Sequence, residues 1–364
     1  MVVSRYSLTH QSKSVDNYLL VVSGLLIIIG LVVVYDASAL QALRDFGDSY
    51  YYIRQQLIWV VFGLMLGMFF TYFDYHKFEK YYFSIIIISI ILLLAVFIPG
   101  LGISGGGAYR WLNLRLLTFQ PSEIIKLTGA IFLAAAFSRG QKLKITLLVI
   151  ILITIITALL QKDLGSSIVF LAMAGFMYFA SGGSLLHFLT VIPLGVIAII
   201  GLVIAAPYRM KRISAFLDPF SDTQGFTYHI SQVLIALGSG GLVGLGLGQS
   251  RQKFEYIPEV TTDSIFAIIG EELGFVGGFL LICLFGLFII RGLKIAQEAK
   301  DDFSKNLAIG LTSWIGIQAI INISSMVALL PLTGVPLPFI SYGGSAIIVN
   351  IAALGLLLNI SRRS

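Results

Sequence analysis

The sequence predicts an all-α polytopic membrane protein of about ten transmembrane helices, with a large extracytoplasmic loop between the seventh and the eighth. Three observations carry that prediction. Of the 364 residues, 57% are hydrophobic and 12% charged, with a mean hydropathy of +0.94, which leaves too little polar surface to keep a globule of this length in water. Nearly every apolar stretch runs to about 20 residues, the length that crosses a hydrocarbon core of about 30 Å at 1.5 Å per residue. A long connection between such stretches occurs once, over residues 207–264.

Taken in order, the spans fall at approximately 17–37, 54–73, 81–99, 121–138, 144–161, 163–180, 185–206, 265–290, 306–330 and 341–360. The first is followed by Ala37-Ser38-Ala39, which imitates a signal-peptidase site. Its apolar length exceeds the roughly 7 to 15 residues of a secretory signal core, so it is read as an uncleaved span. An even number of spans puts both termini on one side. Thirteen Lys and Arg fall on that side, against Arg44, Arg54, Arg110, Arg115 and Lys162 in the short opposite loops, which makes the termini cytoplasmic. No repeat or linker divides the spans, so residues 1–364 form a single transmembrane domain with an extracytoplasmic loop at 207–264. Within that loop Phe226 to Leu237 has helical spacing and 238–248 is glycine-rich. That pattern predicts a helix on or in the membrane surface followed by a flexible or re-entrant turn, whose irregular backbone needs protein or water around it.

Composition also excludes several classes of chemistry. The single cysteine, Cys283, lies in an apolar run, which rules out a disulfide framework and a Cys-based metal site. His10, His76, His187 and His229 show no metal-ligand spacing. The net charge of +6 is dispersed and accompanies no nucleic-acid motif, so it points to anionic membrane lipids rather than nucleic acid.

The segment from Lys253 to Leu273, KFEYIPEVTTDSIFAIIGEEL, brings carboxylates first to the membrane surface and then into the bilayer. Ionised groups at that depth cost several kcal/mol and usually line a site or a path. Asp263 stands where a polar loop becomes an apolar helix. It is placed to act as a general base, its pKa raised by partial desolvation, or to cap the helix that follows. Lys253 and Glu259 lie on the polar approach to it and join the substrate-binding candidates. In Gln120-Pro121-Ser122-Glu123-Ile124-Ile125-Lys126, proline at the first helical position and an acid in the first turn mark a helix start, with Lys126 about one turn inside the membrane. Lys126 then either pairs with Glu123, three residues away, or faces Asp263 and offers a cation to an anionic substrate. Arg110, Arg115 and Arg54 lie on the same side as Asp263, as a set of guanidinium groups for a diphosphate or as interfacial anchors. The glycines before Arg110 lack the Gly-Lys-Ser/Thr ending of a phosphate loop. Asp163 is placed to cap the sixth span. Three prolines between Pro331 and Pro338 make a shaped loop rather than a helix.

Taken together, GGGAYRWLNL, FQPSEIIKL, QKDLGSS, FLDPFSD, LIALGSGGLVGLGLGQS, EYIPEVTTDSIFAIIGEELG and GVPLPFISYGGSA resemble, in order, the motifs of the SEDS (shape, elongation, division and sporulation) family of FtsW/RodA type. The resemblance implies a peptidoglycan glycosyltransferase that polymerises lipid II into glycan strands on the outer face of the bacterial cytoplasmic membrane and releases undecaprenyl diphosphate. It also implies a class B penicillin-binding protein, a transpeptidase, as partner. The family's essential aspartate corresponds to Asp263, its Gln-Pro-Ser-Glu lysine to Lys126 with Gln120, Ser122 and Glu123, and its Gly-Ala-x-Arg-Trp arginine to Arg110. Thr261 and Lys162 depart from the family's usual His and Pro. The spelling IIGEELG is closer to division-type than to elongation-type members. The resemblance points to no certain cofactor; a divalent cation, Mg or Mn, could assist the diphosphate, but the sequence shows no dedicated metal cage. A lipid II flippase is the alternative, because a transporter also needs intramembrane charge and interrupted helices.

Overall fold

The computed structural model describes residues 14–105, 107–113, 118–184, 206–220, 225–253 and 260–364, with residues 195, 200, 201 and 204 singly between them. Among these, eleven helices and one small sheet follow in the order α1 (Asn17–Phe46), α2 (Tyr51–Tyr72), α3 (His76–Ala95), β1 (Gly102–Gly105), β2 (Ala108–Asn113), β3 (Thr118–Phe119), α4 (Pro121–Ser138), α5 (Leu143–Ile155, continued by a π turn, Ile156–Leu160), α6 (Leu164–Ala180), α7 (Pro207–Leu217), α8 (Gly225–Gly240), α9 (Ile265–Glu298), α10 (Asp302–Met326) and α11 (Gly344–Arg363). Eight are long and apolar enough to cross a membrane: α1 to α5 and α9 to α11. α6, of 17 residues, is a shorter apolar helix. Nine of the ten predicted spans thus coincide with helices, and the chain is a multi-pass membrane protein. The predicted seventh span, 185–206, lies almost wholly outside the described residues.

Aspartates start several helices by accepting an otherwise orphaned backbone N–H. Asp16 takes Leu19 (2.8 Å), Asp163 takes Ser166 (3.0 Å) and Asp301 takes Ser304 (2.8 Å). One end of the bundle is tied by charge: Arg291 pairs with Asp16, and Arg363 donates to Asp74 at 2.8 Å. The start of α1, the end of α11 and the α2–α3 and α9–α10 connections therefore share that end. α4, α10 and α11 form the centre, with 78, 78 and 83% of their spanning residues buried, against 22 and 17% for α2 and α3 at the periphery.

Lipid supplies no hydrophobic drive for helices to associate, so close approach depends on small residues. At Gly355 of α11 a Cβ would lie 2.2 Å from the carbonyl oxygen of Gly67 in α2. Thr71 also donates across that seam to the Gly355 carbonyl, at 3.3 Å. Gly355→Leu is therefore expected to push the two helices apart and lower stability by about 1–3 kcal/mol. The measurement is thermal unfolding of the purified protein in detergent, and an unchanged midpoint would contradict this contact.

α9 is interrupted at Gly274, whose φ of 65° and ψ of −166° only glycine adopts readily. The chain before α9 takes up the broken backbone. Leu245 and Gly246 donate to the carbonyls of Glu271 and Glu272 (3.0 Å each), and Phe275 and Val276 donate to Gly241 and Leu242 (2.9 and 3.1 Å). The glycine-rich run expected to re-enter thus docks on a helix break. Each irregular stretch satisfies the other where water is scarce.

Two elements were not foreseen. β1, β2 and β3 form an antiparallel sheet in that order, at the end of the bundle opposite the start of α1 and the end of α11. α7 stands within what was read as loop. Both are too short for a hydrophobic period to distinguish them from a connection.

Candidate active site

Asp263 sits in the turn that leads into α9, half-buried, and it does not cap that helix. The capping position belongs to Ser264, whose side chain makes no capping bond and whose hydroxyl instead pairs with His229 Nε2 at 2.7 Å. The carboxyl accepts from the Thr262 hydroxyl at 3.1 Å. Desolvation pushes it above the ordinary carboxylate value, while its own backbone N–H, Thr262 and the Arg212 guanidinium work in the opposite direction. The turn is strapped by the proline-rich segment before α11. Tyr342 N–H donates to the Thr261 carbonyl (2.9 Å) and Ser341 Oγ to the Thr262 carbonyl (2.5 Å). Gly334 of that strap lies against the carboxylate: a Cβ added there would be 3.8 Å from Asp263 Oδ2. Burial beside Tyr52 and Tyr51 pushes the Tyr342 phenol up to about 12, so it stays neutral at physiological pH.

Arg212, on α7, is the cation nearest in effect to Asp263, and it also feels Arg110, Tyr208 and Asp163. It donates to the Leu332 carbonyl at 3.1 Å, so α7 closes over the strap. Arg110 reaches the same neighbourhood from β2. Its Nε donates to the Gln161 carbonyl (3.1 Å) and an Nη to the Lys162 carbonyl (2.6 Å), in the turn between α5 and α6. Lys162 adopts a left-handed φ of 54°, and its ammonium donates to the Gly107 carbonyl at 3.0 Å. Asp163 caps α6 as expected, and its second oxygen accepts from Ser122 Oγ (3.2 Å) and Gln120 Nε2 (3.4 Å). Gln120 and Ser122 thus hold Asp163. Arg212 was missed as an individual residue because its helix was missed; the signal was the amphipathic, basic run Pro207 to Leu217.

Other candidates are placed elsewhere. Of the two arrangements open to Lys126, the structure has the pairing with Glu123: the fully buried ammonium donates to Glu123 Oε1 (2.7 Å) and to Gln318 Oε1 (2.8 Å). Lys253 turns to Asp36 (2.8 Å) and Glu272 (3.1 Å), while backbone N–H groups of residues 248, 250, 251 and 252 donate to Glu271 and Glu272. That cluster pins the re-entrant segment to α1 and α9. Arg54 pairs with Asp48 and lines a surface cavity with Tyr35, Tyr50, Ile53 and Leu57. Glu259 and Arg115 lie outside the described residues.

The fold and the site define a multi-pass membrane protein with an acid and two arginines gathered at one end of its bundle. The family described as Cell cycle protein, FtsW/RodA/SpoVE, matches residues 16–364. Stage V sporulation protein E of Bacillus subtilis (strain 168) is 40% identical, over 98% of this chain and 100% of that protein. The probable peptidoglycan glycosyltransferase FtsW of Haemophilus influenzae is 38% identical, over 98% of this chain and 93% of that protein. Among solved structures, a chain from a peptidoglycan synthase complex, solved for the structural coordination of polymerization and crosslinking, superposes with a TM-score of 0.79 at 25% identity, covering 96% of this chain and 98% of that one. The Thermus thermophilus rod shape determining protein RodA gives a TM-score of 0.70 at 25% identity, covering 96% and 97%. The chain belongs to the FtsW/RodA/SpoVE family.

Proposed function

We propose that this peptidoglycan glycosyltransferase polymerises lipid II on the outer face of the bacterial cytoplasmic membrane, with Asp263 as its general base. The observation that carries the reading is the half-buried Asp263 carboxyl beside Arg212, with Arg110 in the same charge cluster. Asp263 takes the proton from the 4-hydroxyl of the acceptor's N-acetylglucosamine as that oxygen attacks the anomeric carbon of the donor's N-acetylmuramic acid. The bond to undecaprenyl diphosphate breaks with inversion, and the negative charge leaves on the diphosphate. Arg110 and Arg212 stabilise that growing charge, which is where catalysis at such sites gains most. A divalent cation such as Mg or Mn would supply further positive charge to offset that of the leaving diphosphate, although no cluster of metal-ligating side chains is present among the described residues. With the basic end of the bundle in the cytoplasm, both termini are cytoplasmic and Asp263 faces out. The relatives named FtsW support a place in cell division, and a class B penicillin-binding protein is the partner that cross-links the product.

The deciding assay uses purified protein and lipid II, with glycan strands resolved on gels, with and without the partner. Strand formation supports the enzyme. Transport across vesicles without strand formation supports a flippase instead. The broken α9 and the re-entrant segment favour that second reading, but the charges there are matched by one another: Lys253 is held by Asp36 and Glu272. Arg212→Gln is expected to lower kcat and to move the acid limb of the pH profile upward. Removing the guanidinium leaves desolvation of Asp263 less opposed, so the base stays protonated to higher pH. A limb that stays in place or moves down would separate Arg212 from Asp263.

A further inference from the structure

The strap between Pro331 and Pro338 contains three prolines and Gly334 at a φ of 70°, so it joins no helix or strand ladder and its carbonyls need side-chain donors. Two amides on one face of α10 supply them. Gln318 and Asn322 are four residues apart, and both are buried within a membrane-spanning helix. Gln318 Nε2 donates to the Pro336 carbonyl (2.9 Å), while its Oε1 accepts from Lys126 Nζ (2.8 Å) and Trp314 Nε1 (2.9 Å). Asn322 Nδ2 bridges two carbonyls, those of Asp263 (2.7 Å) and Val335 (2.8 Å).

Polar residues in membrane helices commonly glue one helix to another. The amide N–H groups of these two reach non-helical backbone instead, and one of the three carbonyl oxygens they bind belongs to Asp263 itself. Asn322 Oδ1 is buried and accepts no hydrogen bond among the described residues. Its fit is therefore to the two carbonyls rather than to its own full bonding capacity. We propose that Asn322, backed by Gln318, is a positioning residue for the reaction: it fixes the Asp263 turn to the strap, so that both are registered against the buried Lys126–Glu123 pair. Asn322 touches no reacting atom and acts through the backbone of Asp263. This inference rests on the reading of Asp263 as the base.

The test compares purified full-length Asn322→Ala, Asn322→Asp and Asp263→Asn with the parental chain. It reads kcat, KM for lipid II, pH profile and thermal unfolding. Asn322→Ala is expected to lower kcat about 10²-fold, the scale of a misplacement of roughly 1 Å, with KM within about twofold. Asn322→Asp keeps the shape and loses the two-hydrogen bridge, so it follows Asn322→Ala and decides the matter if the alanine variant fails to fold. In Asn322→Ala the acid limb moves down as water reaches the released turn, whereas in Asn322→Asp the added carboxyl opposes that shift, so that variant is read by kcat alone. Asn322→Ala leaves the charged and titratable groups around Asp263 as they are: Arg212 of α7, with Arg110, Tyr208 and Asp163 about it, and His229 of α8 on Ser264. Parental kcat and pH limb in Asn322→Ala, or parental kcat in Asn322→Asp, beside an inactive Asp263→Asn, would overturn the positioning role alone. A raised KM with parental kcat, or a lowered unfolding midpoint with parental kinetics, would overturn it in favour of helix packing. Parental activity in Asp263→Asn would remove the base and the positioning role with it.

Discussion

Asp263→Asn is expected to reduce kcat by about 10²- to 10⁴-fold, the usual contribution of a positioned general base, and at the same time to make the protein more stable at neutral pH. The two effects share a cause. Desolvation lifts the Asp263 carboxyl above its ordinary value of 3.8, so the folded state binds its proton more readily than the unfolded chain does. Stability from this group is therefore greatest at low pH and falls as pH rises from the ordinary value through the raised one. Above that window the fold carries the full penalty of a desolvated anion, and asparagine removes it while keeping the size. The same ionisation governs the chemistry in the opposite sense, because only the unprotonated carboxylate can take the acceptor's proton. Activity in the parental chain is expected to rise with pH through the raised value. Strand synthesis and thermal unfolding, each followed against pH, check both halves. An Asn variant that polymerises at the parental rate, or one whose midpoint falls at neutral pH, would contradict this account of the site.

Much of the fold was legible because membrane spans are set by length and apolarity, which are local properties. Lys126 and Asp163 show where legibility stops. Both sit near helix starts that the sequence marks, yet whether Lys126 turns to Glu123 or to Asp263 depends on a third group, Gln318, contributed by a helix nearly 200 residues away in the chain. Asp163 has the capping role that spacing alone suggests, because a cap is satisfied within three residues. Arg212 was hidden for another reason. α7 neither spans the membrane nor repeats a long period, so its amphipathic run was absorbed into a loop. Asn322 and Gln318 carried a signal that went unused, two amides four residues apart inside an apolar helix, and the carbonyls they serve belong to a strap whose path no periodicity describes.

The largest stability effect is expected at Lys126, and it separates what the ion pair does for the fold from what it does for the site. Lys126→Met leaves Glu123 buried with no ammonium beside it, and Glu123 Oε2 already has no hydrogen-bond partner among the described residues. Breaking one side of a buried pair destabilises by about 3–5 kcal/mol, whereas replacing both partners with apolar groups is often neutral. Lys126→Met alone should therefore lower the unfolding midpoint steeply, and adding Glu123→Met should recover most of it, giving a large coupling in a double-mutant cycle. Activity should not recover in parallel. The lysine also donates to Gln318, which holds the Pro336 carbonyl, and its ammonium lies 5.6 Å from the Trp314 ring centroid. A methionine at 126 restores none of those contacts, so the double variant is expected to be stable and slow. Additive losses in the cycle would show that the two side chains do not act as a pair. Full recovery of both stability and polymerisation would confine Lys126 to holding the bundle together and break the link from α4 through α10 to the strap.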